Sequence, residues 1–104
     1  MTEQNWDVVR QLVAWLDQKD NATPATAPLL RLLKLQEEVG EVAQAAIGAV
    51  GANPRKGRTH TWEDVHHELC DVLITAMVAL TTLTPDAAAV FQERLDVVAA
   101  RSLA

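Results

Sequence analysis

From Leu29 to Val50 the chain repeats its apolar side chains every three or four positions with no proline to interrupt them, and no other stretch constrains the fold as strongly. Plotted at about 100° per residue, Leu32, Leu35, Val39, Val42, Ala43, Ala46 and Val50 form one continuous stripe, so the segment is a long amphipathic helix beginning near Pro28 or Leu29. Lys34, Glu37, Glu38 and Glu41 fall within a separate arc of about 100°, with Glu38 nearest the edge of the stripe. Burying an ionised carboxylate alone costs several kcal/mol or more, so acids this close to a packing surface face a cation, a hydrogen-bond donor or water in a cleft.

The remaining segments read the same way. Val8, Val9, Leu12, Trp15 and Leu16 share one face of a helix from about Trp6 to Lys19, and the prolines of the polar connection Asp20 to Pro28 stop that helix from running on. Gly51 to His60 is a loop. Thr61 with Asp64 three residues later is a variant of the capping box and opens a third helix, Trp62 to Leu83. Thr84-Pro85-Asp86 offers an N-cap, a proline at the first helical position and a first-turn acid, which predicts a fourth helix from Pro85 to about Ser102. Ala, Leu and Val dominate the composition, Tyr is absent, and Trp6, Trp15, Trp62 and Phe91 are the only aromatics. The expected fold is all-α, a four-helix bundle-like domain spanning residues 1–104. A chain this short covers its apolar helix faces poorly, so a homodimer or a dimer of dimers is expected.

Charge and cysteine content narrow the partners. A net charge of −5 argues against a nucleic-acid polymer, whose binding relies on neutralising phosphates with Lys and Arg. The run Val72 to Leu83 is too short to cross a bilayer, so no membrane is expected and the run reads as a core helix without a broad solvent face. One cysteine, Cys70, and no basic-then-apolar leader pattern fit a reducing cytoplasm, and Cys70 itself suits a core role.

The chemistry lies in two acidic clusters, Glu37-Glu38-Val39-Gly40-Glu41 and Glu68-Leu69-Cys70-Asp71, the second in the first half of the third helix. Residues three or four apart share a helix face, so Glu38 with Glu41, Glu37 with Glu41, and Glu68 with Asp71 can each hold a cation. Hard Mg²⁺, or Mn²⁺, prefers such oxygen donors and leaves positions for water and phosphate. A solvated acidic face is the plainer alternative, but the third helix is apolar almost all round after Asp71, and Arg31 and Lys34 cannot balance five carboxylates. Arg55, Lys56 and Arg58 in the connecting loop form the one concentrated positive patch and can clamp phosphates, a role that Lys34 can share. Glu63 and His66 make a single Glu-x-x-His, half of what a di-iron bundle needs, which leaves His66 and His67 as surface or cleft-rim residues. The tryptophans read as core or interface anchors.

EExxE in one helix followed by ExxD in the next resembles the MazG-like all-α nucleotide pyrophosphohydrolases, which include dimeric dUTPases and dCTP pyrophosphatases. The likeness covers about Leu29 to Leu83, and Glu68-Leu69-Cys70-Asp71-Val72-Leu73-Ile74 is close to the family's second motif and its continuation. The resemblance implies Mg²⁺-dependent hydrolysis of a nucleoside triphosphate to the monophosphate and pyrophosphate. It further implies Glu38, Glu41, Glu68 and Asp71 as metal ligands and Glu37 as a second-metal ligand or the group that orients the attacking water. Relatives often carry a Lys-Asn pair in the last helix, whereas the comparable positions here are Val97 and Val98. Two other readings compete: a non-catalytic helical interaction module that keeps the fold, and a di-metal redox bundle.

Overall fold

A computed structural model describes all residues, Met1 to Ala104, as four helices: α1 (Glu3–Lys19), α2 (Ala27–Val50), α3 (Trp62–Leu83) and α4 (Ala87–Ser102). The all-α fold expected from the periodicity is the one observed. Helix α1 starts three residues before the position that its apolar pattern marks, because Thr2 and Asn5 form a capping box. Thr2 Oγ1 accepts from the Asn5 amide at 3.1 Å while Asn5 Oδ1 accepts from the Thr2 amide at 3.0 Å, satisfying donors that a helix start leaves free. Pro28 lies in the first turn of α2, where its missing amide hydrogen costs nothing. At the other end Gly51 adopts φ +69°, the left-handed conformation that closes a helix and that only glycine adopts without strain.

The expected capping box at α3 is present: Thr61 Oγ1 accepts from the Asp64 amide at 3.2 Å and Asp64 Oδ2 from the Thr61 amide at 2.9 Å. Helix α4 starts two residues later than Thr84-Pro85-Asp86 suggests. The Thr84 hydroxyl is spent on a tight turn, accepting from the Asp86 amide at 3.2 Å, and Asp86 becomes the residue before the helix. Across this turn the chain changes direction by 116°.

Helix α3 is the centre of the fold and packs against each of the other three. On one side Met77 and Val78 meet Trp6 and Val9 of α1 and Ala87 of α4, with Phe91 tilted against Trp6 at a ring separation of 6.1 Å. On the other side Val65 packs against Ala45 and Ala49 of α2, small side chains that let the two helices approach closely. A side chain at Gly48 would collide with Thr59 and His60, and that close approach lets the Gly48 carbonyl accept from the Thr59 amide at 3.1 Å. This bond folds the loop back onto the end of α2.

Arg31 ties three elements together. Its guanidinium is buried, donating to Asp17 at 2.8 Å, to Asp20 at 3.2 Å and to the Thr82 hydroxyl at 3.0 Å, which in turn donates to the Val78 carbonyl. No single helix is long and apolar enough to cross a membrane.

Two expectations about burial are corrected. Leu73 and Ile74 of α3 are exposed, so this helix does carry a broad solvent-facing apolar surface in the single chain. Cys70 is exposed as well, because its helical phase turns it away from α2 to the rim of a groove between α1 and α3. Of the tryptophans only Trp6 enters the core, while Trp15 and Trp62 are exposed.

Candidate metal centre

The antiparallel packing of α2 on α3 brings the two acidic clusters together. One carboxylate oxygen each from Glu38, Glu41 and Glu68 lies within 4.8 Å of the others. Glu38 and Glu68 are half-buried between the helices and Glu41 is exposed at the rim, so the set opens to solvent on one side. Helical phase explains the choice: on α2, Glu38 points toward α3 and Glu41 lies one step round, while on α3 Glu68 points back toward α2.

Buried Oε2 atoms of Glu38 and Glu68 have no hydrogen-bond partner. The Glu38 side chain retains only 12% of its exposure and receives one cation, Lys34 Nζ, at 3.6 Å from Oε1. Buried polar atoms are nearly always paired, and an orphaned oxygen on an acid beside two other acids is the reverse of what a structural network requires. An octahedral Mg²⁺ with bonds of about 2.1 Å would set neighbouring ligand oxygens roughly 3 Å and opposite ones roughly 4 Å apart, separations that side-chain rotation of the three glutamates can reach from within 4.8 Å. All-oxygen donors of this kind suit Mg²⁺ or Mn²⁺, and the residues present fit such an ion.

The other expected site residues take distinct places. Glu37 is exposed and pairs with Lys34, whose Nζ lies 3.7 Å from its Oε2. Lys34 thus spans Glu37 and Glu38 at the edge of the cluster. Asp71 is exposed and stands outside the three-carboxylate set. It sits about 60° further round α3 than Glu68, away from α2, and its side chain is one methylene shorter. Arg55, Lys56 and Arg58 are exposed in the loop that caps the end of the helix pair. Ten residues of helix separate Glu41 from Gly51, about 15 Å along the axis, so the loop and the carboxylates sit at different levels of the hairpin. Lys56 there lines a polar cleft with Gln44, Asn53, Thr59 and His60. Arg58 lies against Gly51.

Arg31 was the residue whose role the sequence concealed. It lies one helical turn before Lys34, seven residues from Glu38, and its guanidinium is committed to Asp17, Asp20 and Thr82 and contributes nothing to the cluster. A second feature with no sequence signal is a groove of about 400 Å³ bordered by Leu16, Leu30, Lys34, Thr75 and Val78. Lys34 is common to this groove and to the acid cluster.

Among titratable groups, Asp64 is held below the ordinary carboxylate value of 3.8, first by the Thr61 amide, then by the Thr61 hydroxyl and the nearby His60 and His67, against the opposing effect of desolvation. This belongs to the helix cap, not to the cluster. Comparison with protein families, with curated proteins and with solved structures finds no match to this chain.

Proposed function

We propose that the chain is a Mg²⁺-dependent hydrolase that splits a nucleoside triphosphate into the monophosphate and pyrophosphate. The observation that carries this reading is the convergence of Glu38, Glu41 and Glu68 with two buried, unpartnered carboxylate oxygens. The EExxE and ExxD spacing, with its resemblance to the MazG-like enzymes, supplies the reaction class.

In this reading Glu38, Glu41 and Glu68 would hold the ion, with Asp71, one turn further along α3, as the fourth expected ligand. Bound Mg²⁺ supplies neutralising charge for the polyphosphate and acidifies water. The residues of the chain do the rest. Glu37, exposed beside the cluster, accepts a proton from the attacking water and orients it. Lys34 exchanges its carboxylate partners for a phosphate oxygen, and Arg55, Lys56 and Arg58, a level further along the hairpin, attract the anionic substrate through their field and not by direct contact with a polyphosphate held at the cluster. The groove beyond Lys34 offers the apolar walls of Leu16, Leu30 and Val78 to a planar base, with the Thr75 hydroxyl as a polar contact. No covalent nucleophile is needed, because positioning and charge stabilisation account for phosphoryl transfer.

Purified protein incubated with Mg²⁺ and a panel of ribo- and deoxyribonucleoside triphosphates should release monophosphate and pyrophosphate. Glu38→Gln and Glu68→Gln should lower turnover at least about 100-fold while the far-ultraviolet spectrum stays helical. Orthophosphate as the sole product, or no turnover with any nucleotide, would refute the proposal. An interaction module is the competing reading, favoured by the amount of apolar surface that the chain exposes. It predicts that both variants keep every binding property of the parent.

A further inference from the structure

The closed end of the α2–α3 hairpin carries charge of the opposite sign to the rest of the chain. From Val42 to Trp62 there is no Asp or Glu, in a chain with 14 acids and a net charge of −5, while Arg55, Lys56 and Arg58 supply three of its nine Lys and Arg residues there. None of the three is paired, because every ion pair in the chain is made by Arg10, Arg31 or Lys34. A cleft of about 420 Å³ opens in this region, between the last turns of α2 and the loop.

Donors line the cleft. Asn53 is oriented by the loop itself: its Oδ1 accepts from the Arg55 amide at 2.9 Å and from the Lys56 amide at 3.3 Å, which leaves the Nδ2 hydrogens for a ligand. The Gly57 amide closes the turn on the Asn53 carbonyl at 2.8 Å, with Gly57 in the left-handed conformation at φ +67°. Thr59 Oγ1 and His60 Nδ1 lie 2.9 Å apart. If the hydroxyl donates, the ring proton sits on Nε2; if the ring donates, the hydroxyl hydrogen is released, so the pair offers a donor in either state. Gly48 makes room for this pair, since a Cβ there would collide with both side chains. Gln44 adds an amide and Lys56 an ammonium, and Ile47 is the one apolar side chain on the walls.

Groups that would repel an anion are engaged elsewhere. The Ile47 carbonyl accepts from the Gly51 and Ala52 amides and the Gly48 carbonyl from the Thr59 amide, which closes the negative end of α2. Asp64, beside His60, is turned to the Thr61 amide at 2.9 Å as the α3 cap, and Glu41, nearly a turn before Gln44, does not line the cleft.

We infer that this cleft is a second binding site, separate from the acid cluster, for a phosphate-type oxyanion, either inorganic phosphate or a small phosphomonoester. A tetrahedral dianion accepts hydrogen bonds from several directions, which suits donors spread over Gln44, Asn53 and the Thr59–His60 pair, and Lys56 supplies the point charge. A single apolar wall gives a nucleobase nothing to stack on, so the ligand is small and polar. The site needs no metal ion, and it stands whether or not the acid cluster hydrolyses nucleotides.

Amide NMR of the isotope-labelled full-length chain tests this, in chelator and physiological salt, titrated separately with inorganic phosphate, glycerol phosphate and acetate. Phosphate or its ester should give saturable shifts, in the millimolar range or below, at the Asn53 and Gln44 side-chain amides and the Gly48 and Thr59 backbone, with Glu38, Glu41 and Glu68 unmoved. The tighter of the two identifies the free ion or the ester as the ligand. Lys56→Gln should weaken binding at least ten-fold, and Gly48→Ala, which pushes the Thr59–His60 pair aside, several-fold, while Glu38→Gln should bind as the parent does. Absence of saturation, acetate binding equal to phosphate, or binding that Lys56→Gln leaves unchanged overturns the inference. So does binding that Glu38→Gln abolishes, which would assign the phosphate to the acid cluster.

Discussion

Glu38→Gln removes one negative charge from a three-carboxylate cluster, and the sign of its effect separates a metal centre from an ordinary structural network. At the 4.8 Å limit of the cluster each like-charge pair costs about 1 kcal/mol in water and about 3.5 kcal/mol at an effective dielectric constant near 20. Glu38 makes two such pairs, with Glu41 at the exposed rim and Glu68 in the half-buried interior. Against them stands one attraction, to Lys34 Nζ at 3.6 Å, and Lys34 is 52% exposed, so solvent holds that pair to about 1 kcal/mol or less. Removing the charge therefore relieves more than it forfeits. Without divalent ions the variant should be as stable as the parent or more so, by about 0–2 kcal/mol, which is up to roughly 10 °C in a domain of this size. With Mg²⁺ the order reverses. An ion at about 100 times its Kd stabilises the parent by about 2.7 kcal/mol, or roughly 10–20 °C, and the variant should lose most of that gain. The assay is thermal unfolding followed by far-ultraviolet circular dichroism, at one protein concentration, in chelator and in millimolar Mg²⁺. A variant that melts well below the parent in chelator, with the same response to Mg²⁺ as the parent, would refute the reasoning.

Two further outcomes test the scaffold around the site. Arg31→Met should destabilise the chain by about 1–3 kcal/mol in urea unfolding, since it deletes three hydrogen bonds from a buried guanidinium while the aspartates it leaves behind keep their water. A change of less than a few tenths of a kcal/mol would show that the network is incidental. Thr61→Ala should cost about 0.5–2 kcal/mol through loss of the α3 cap. Because Asp64 is held below its ordinary 3.8 in the folded chain, the capping contribution is present above that value and is lost as pH falls through the lower folded value. The parent should therefore lose stability as pH falls below about 4 more steeply than Asp64→Asn does, whereas Thr61→Ala, which keeps the amide that holds the carboxylate, should retain most of this acid dependence; parallel profiles for the parent and Asp64→Asn would contradict the cap.

Helix number and the α3 cap were legible because each follows from local rules of period and capping, whereas the approach of Glu68 to Glu38 and Glu41 is a tertiary contact that was expected only from the pairing of the two motifs. The α1 start was missed since Asn at the third helical position completes a capping box as well as Glu or Gln does, and the apolar pattern begins only at Trp6. What periodicity leaves undecided is what covers an apolar residue. The stripe of α2 reads as one surface, yet the fold divides it: Leu35, Val42 and Ala46 turn partly into α3 while Leu32, Val39 and Val50 stay outside. Both halves have the same hydrophobic character, so only the position of α3 tells them apart. The exposed half is as regular as the packed half, so regularity of the pattern does not mark which half the fold buries.

Counter-charge is the other quantity that a linear reading misplaces. In sequence, Arg31 and Lys34 are the two cations that precede Glu37, Glu38 and Glu41 on the same helix, with only Lys34 at three- and four-residue spacing from the acids. In the fold their duties separate, because the closing of α1 onto α3 brings Asp17 and Asp20 within reach of Arg31 and draws its guanidinium away from the cluster. The acids are then left with Lys34 alone, shared between Glu37 and Glu38, and with two oxygens that nothing in the chain satisfies. A protein that needed only stability could have turned either cation inward or replaced Glu68 by an apolar residue at little cost. Three carboxylates kept close together and under-compensated repel one another, a bound divalent cation would relieve that repulsion while leaving all three ionised, and this is the physical basis for reading them as a binding site.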